Sequence, residues 1–240
     1  MASASVIDDY VSTLGRTLRG STRVRRDLLA EARDGLADSA EAYLAEGFDR
    51  AEAERMAVAE FGPVDEIAPG YQEEIAAHQG RRTAAVMFVT VPLMTLMWSV
   101  IWKIFPENPW TVTEVRAAWF SPLARFLDFF QFGVGVLGAL ALLAFSGPLR
   151  AVRRPGVLTR ALGILLWIQV PAICLMGLAL AAGAGRALSG FGAYPPGMVA
   201  SLVSYLVSGS LLWSATRCVI VSRPLPAASA ATVSQRSALN

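Results

Sequence analysis

Histidine occurs once in the 240 residues, at His78, lysine once, at Lys103, and cysteine twice, at Cys174 and Cys218. Each shortage removes a class of chemistry. His78 stands among Ala77, Gln79 and Gly80, with no metal ligand or triad partner adjoining it, and reads as a solvated linker residue. The two cysteines fall in separate apolar runs, at depths that keep them too far apart for a disulfide, and read as core residues. Without a framework of spaced pairs, cysteine usage leaves the redox compartment open. Carboxylates stop at Asp128. That matters for Gly133-Val134-Gly135-Val136-Leu137-Gly138, which matches the dinucleotide fingerprint letter for letter but lacks the preceding strand and the acid about twenty residues on. The run reads as helix packing. No enzymatic activity, cofactor or metal site is expected. The near-absence of lysine beside abundant arginine and alanine points to a GC-rich bacterial genome.

What is present divides sharply. Residues 1–82 hold ten arginines against sixteen Asp or Glu, a balance of −6, so the rest of a chain with net charge +2 carries +8. The composition is 54% hydrophobic and 17% charged, with the apolar residues gathered after Arg82. An acidic soluble part therefore precedes a basic, apolar one, and an acidic domain is a poor binder of nucleic acid. The first twenty residues carry Asp8, Asp9, Arg16 and Arg19 and show no continuous apolar stretch of the secretory kind, which predicts a cytoplasmic N-terminus.

Helix signals fill the acidic part. Ser5 predicts a first N-cap, its hydroxyl accepting from Asp8, and Val6, Tyr10, Val11, Leu14 and Leu18 form one stripe ending before Gly20. Ser21 opens a second helix to about Glu46, with Val24, Leu28, Leu29, Leu36, Tyr43 and Leu44 inward and Gly47 as its stop. Asp49 with Glu52 three residues on makes a capping box for a third helix carrying Met56, Ala57 and Phe61, stopped by Gly62-Pro63. Two short helices, Val64 to Ala68 and Tyr71 to Ala77, are expected on either side of a break at Pro69-Gly70.

The series Arg26-Asp27-Leu28-Leu29-Ala30-Glu31 with Asp34, Tyr43-Leu44-Ala45-Glu46-Gly47-Phe48, Ala51-Glu52-Ala53-Glu54-Arg55 and Ala59-Glu60-Phe61-Gly62 resembles the HAAS-type domain, also called the permease prefix domain. The resemblance covers about residues 5–77. It implies a cytoplasmic module fused to varied bacterial membrane segments, often encoded beside PadR-like transcription regulators, and it brings no catalytic residues.

Behind Arg81 and Arg82, residues 83–105 are apolar except for Lys103 and long enough to cross roughly 30 Å of hydrocarbon. Further spans are expected at about 122–147, 161–182 and 197–221. Arg81, Arg82, Arg150, Arg153, Arg154, Arg160, Arg217, Arg223 and Arg236 then fall on one side, against Lys103, Arg116, Arg125 and Arg186 on the other, which places both termini in the cytoplasm. Small-residue ladders at Gly177, Ala181 and Gly185, and at Ala200, Ser204 and Ser208, offer packing seams. Arg125 and Asp128 read as an interfacial pair near the outer end of the second span.

The expected architecture is all-α: a cytoplasmic three- to four-helix domain at 1–80, a four-helix transmembrane bundle at 81–222 and a disordered tail at 223–240. The expected function is a membrane-anchored regulatory or signalling protein whose cytoplasmic domain binds a protein partner, a PadR-like regulator system or a transporter subunit; the alternative is a small permease or accessory transport subunit. Homo-oligomers are compatible with either. Arg150, Arg153 and Arg154 are the candidate docking or anionic-lipid contacts, since they share a side of the membrane with the acidic domain.

Overall fold

The computed structural model describes residues 5–105, 118–146, 154–183 and 195–225. All seven regular elements among them are helices: α1 Val6–Thr17, α2 Thr22–Ala45, α3 Arg50–Phe61, α4 Val64–Ile104, α5 Phe120–Ser146, α6 Pro155–Gly183 and α7 Pro195–Val221. The chain divides into two compact units, one of Met1–His78 with Ile220–Asn240 and one of Gln79–Val219.

In the first unit α2 packs on both α1 and α3. Its core joins Ile7, Tyr10 and Leu14 of α1, Leu28 and Leu36 of α2, Ala57 of α3 and Ala68, Ile75 and Ala76 of α4. Val221 belongs to the same core, against which Leu225 packs. Leu225 lies in the expected tail, and residues 226–240 of that tail lie outside the described residues.

The helix ends follow local chemistry. The α2 terminus is a full Schellman motif: Gly47, at φ +100°, donates to the Leu44 carbonyl, Phe48 donates to Tyr43, and the rings of Tyr43 and Phe48 meet edge to face at 6.1 Å. Asp49 then caps α3, its carboxylate accepting from the Glu52 amide at 2.8 Å. Gly62, at φ +102°, closes α3, and its carbonyl accepts from the Tyr10 hydroxyl at 2.8 Å.

Several expectations are corrected. Ser5 is the N-cap residue of α1, but its side chain makes no cap bond; it donates to Glu54 instead. Leu44 is 41% exposed, because the inward stripe of α2 runs through Ala32 and Ala40 rather than out to Leu44. The helix expected to break at Pro69-Gly70 is continuous. Proline removes a single rung of the ladder, and Pro69 faces outward. Ala68, Gln72, Ile75 and Ala76 reach the core together only if the helical spacing is kept through it.

In the second unit the helices expected at 83–105, 122–147, 161–182 and 197–221 are present, and four are long and apolar enough to cross a membrane. The third begins earlier, at Pro155, a residue whose fixed φ and missing N–H suit the first helical position, and so takes Arg160 into the helix. The core of the bundle draws on all four, through Met87, Val134, Leu166 and Leu211 among others. Its outside is apolar as well: Phe129, Phe132 and Ile168 are all mostly exposed. Buried polar residues (Gln79, Thr83, Thr159, Gln169) with exposed aromatic ones describe a unit built for hydrocarbon rather than water.

Close helix approach occurs at glycines other than those of the expected ladder. A side-chain carbon at Gly163 would lie 2.9 Å from the Ala215 carbonyl oxygen and 3.0 Å from Cys218 Cβ, and one at Gly138 would lie 3.1 Å from Met87 Cβ. Gly177 has open space instead, and Gly185 lies outside the described residues. The second ladder is a seam at Ala200 and Ser204: Ala200 is buried, and the Ser204 hydroxyl accepts from the Trp98 indole at 3.2 Å. Cys218 is fully buried, whereas Cys174, expected in the core, is exposed on α6, and neither is in a disulfide.

Candidate functional site

Of the candidate docking arginines, Arg154 is exposed immediately before α6, and Arg150 and Arg153 lie outside the described residues. His78 is exposed within α4, in keeping with a solvated residue. Arg125 and Asp128 are both exposed in the first turns of α5. Gly133, Gly135 and Gly138 sit inside α5, where the fingerprint has no strand before it, and Gly138 packs on α4. Among the described residues no group of three His, Cys, Asp or Glu side chains is placed to hold a metal ion.

Three polar constellations go unmarked by simple motif reading. In the first unit, Glu54 is only 7% exposed and accepts from the Ser5 hydroxyl at 2.8 Å and the Val6 amide at 2.9 Å, so a carboxylate from α3 caps α1. The Ser5 hydrogen bond foremost, then the Val6 amide and Arg50, hold its carboxyl below the usual glutamate value despite its burial.

The second constellation is centred on Gln72 of α4, buried in the same unit. Its Oε1 accepts from the Arg19 amide at 2.9 Å, and its Nε2 donates to the Arg19 carbonyl at 2.9 Å and to the Val221 carbonyl at 2.8 Å. Both amide protons and the carbonyl oxygen are used, and only this orientation of the amide gives two carbonyls their donors and one N–H its acceptor. Gly20 follows at φ +150°, in a space where a side-chain carbon would lie 2.5 Å from Ile75 Cγ2.

The third lies in the bundle. Thr83 Oγ1 is 2.7 Å from Ser214 Oγ and 3.1 Å from Cys218 Sγ, and Gln79 Nε2 donates to both hydroxyls at 3.3 and 3.4 Å. These groups satisfy one another and clip α4 to α7. Gln169, also buried, has an Oε1 without a hydrogen-bond partner.

On the surface of the first unit, an open groove of about 480 Å³ between α1 and α2 is lined by Val11, Gly15 and Leu29 together with Asp8, Arg25 and Arg33. Asp8 and Arg33 form an ion pair there, both about half exposed, which is worth at most about 1 kcal/mol.

Nothing in these constellations pairs a nucleophile with a base. All three join parts of the chain about fifty or more residues apart. The HAAS family model matches residues 9–70, the stretch that forms α1 to α3 and the start of α4. No curated protein and no solved structure matches the chain.

Proposed function

We propose, from a HAAS match ahead of four span-length helices, that the chain is a membrane-anchored regulatory or signalling protein of the bacterial cytoplasmic membrane, with the N-terminal domain and both termini in the cytoplasm. The domain acts by binding a protein partner, and the chain performs no catalysis of its own. The observation that carries this reading is α4, one unbroken helix from Val64 to Ile104 that begins in the core of the HAAS unit and continues as the first span-length helix. This one helix carries residues of both units. The acidic balance of residues 1–82 favours a partner with a basic surface, and Arg150, Arg153 and Arg154 are the basic cluster that the sequence itself offers.

The test is to break the rod and keep its ends. A strain lacking the gene is complemented with the natural chain or with one carrying Gly-Gly between His78 and Gln79. The regulatory reading expects the natural chain to restore the strain's transcript profile and the insertion to fail at normal membrane levels. Full restoration by the insertion, with solute uptake by the purified chain in proteoliposomes, would favour the alternative of a small permease or transport subunit.

A further inference from the structure

The end of α7 is held in the first unit in a way that the packing of a four-helix bundle does not require. We infer that residues Val221–Leu225 are a docked segment of the N-terminal domain, fastened by Gln72, and that this clasp couples the position of the last span-length helix to the turn between α1 and α2. The inference deepens the regulatory reading above, on which its biological use rests.

The last carbonyls of an α-helix have no partner within the helix and need one elsewhere. For Val221, the final residue of α7, that partner is the Gln72 side chain, whose other two bonds run to both backbone groups of Arg19. One buried amide therefore ties together three places far apart in sequence: the α1–α2 turn, the N-terminal part of α4 and the end of α7. Apolar contact reinforces it, since Val221 is 3% exposed in the same core as Leu18 and Ile75, with Leu225 against it. Gly20 lets the turn come this close: a side-chain carbon there would strike Ile75 and lie 3.7 Å from Val221 Cγ2.

The arrangement is sensitive to small displacements. A shift of α7 along its axis by one residue, about 1.5 Å, takes a 2.8 Å hydrogen bond out of range. Gln72 is then left with a buried donor that water cannot readily reach, so the first unit resists the shift until something compensates it. The docked and released states thus differ at the Arg19–Ser21 turn, on the surface of the domain, although the displacement begins in α7.

The experiment is hydrogen exchange by mass spectrometry on the full chain in lipid nanodiscs, comparing the natural protein with Gln72→Leu and with Val221→Asp. Each variant alters one side of the clasp. The inference expects both to speed exchange roughly tenfold in residues 18–21 and in 220–225 alike, while residues 50–61 keep their protection. Faster exchange at 18–21 alone in Gln72→Leu, or at 220–225 alone in Val221→Asp, would overturn it. If either variant loses protection throughout α1 to α3, Val221→Ala decides the matter: it removes only two methyl groups, and accelerated exchange at 18–21 supports the coupling whereas unchanged exchange there overturns it. A chain with the clasp intact but no effect on transcript profile would sink the regulatory reading and leave the clasp standing.

Discussion

The first unit buries Leu14, Leu36 and Ile75 and, Glu54 apart, keeps its carboxylates out of the core, whereas residues 79–219 bury Thr83, Thr159 and Gln169 and turn out Phe129, Phe132 and Ile168. The same kind of helix is used in both, so secondary structure does not distinguish them; the solvent does. In water, apolar surface drives association and polar groups can stay outside. In hydrocarbon an outward Phe costs nothing, and specificity has to come from close backbone approach and internal hydrogen bonds. Gly163 against the Ala215 carbonyl and the cluster of Gln79, Thr83, Ser214 and Cys218 are the bundle's counterparts of the Leu36 layer in the first unit.

The contrast can be broken from either side. The largest effect is expected at Gly20: alanine there meets Ile75 and holds an unfavourable φ, and should cost the first unit about 3 kcal/mol, read as lost exchange protection of α2 amides in the full chain. In the bundle, Gly163→Ala should cost about 2 kcal/mol, measured by denaturant unfolding in mixed micelles, because the atom it meets is backbone and cannot rotate away. Gly177→Ala, facing open space on the same helix, should stay within about 0.5 kcal/mol in that assay; equal costs at the two sites would mean that the seam is misplaced.

Next comes Glu54→Gln, which should cost the first unit about 1.5 kcal/mol at neutral pH. The folded carboxyl is held below its ordinary value of 4.5, so its contribution is complete above that value and is lost as pH falls through the lowered one. The natural chain should therefore lose α1 protection on acidification, and the variant should lose less over the same interval. Asp49→Ala is milder than Glu54→Gln, about 1 kcal/mol for one N-cap, and should fray α3 without touching the bundle.

How much of this was legible in the sequence depends on whether the signal is local. Gly47, Asp49 and Gly62 act through residues within five positions, and each does what its spacing predicts. Residues 83–105 announce a span by length and hydropathy alone. Ser5 and Gln72 were not legible, because their partners lie about fifty or more residues away and no periodicity connects them. Pro69-Gly70 misled for the related reason that a local breaker was outweighed by tertiary burial of Ala68, Ile75 and Ala76. Small-residue spacing at Gly177 was ambiguous, since four-residue steps put such residues on one face without saying whether a neighbour lies there. Only charge and topology point to the docking arginines, and of the three only Arg154 is among the described residues.

The proposed topology has four membrane crossings, with the acidic domain and both termini in the cytoplasm. A reporter enzyme active only outside the cytoplasm, fused after Thr113 in one chain and after Asn240 in another, tests it most directly. The account predicts strong activity for the fusion after Thr113 and silence for the fusion after Asn240, at equal membrane levels. Strong activity after Asn240 would contradict it.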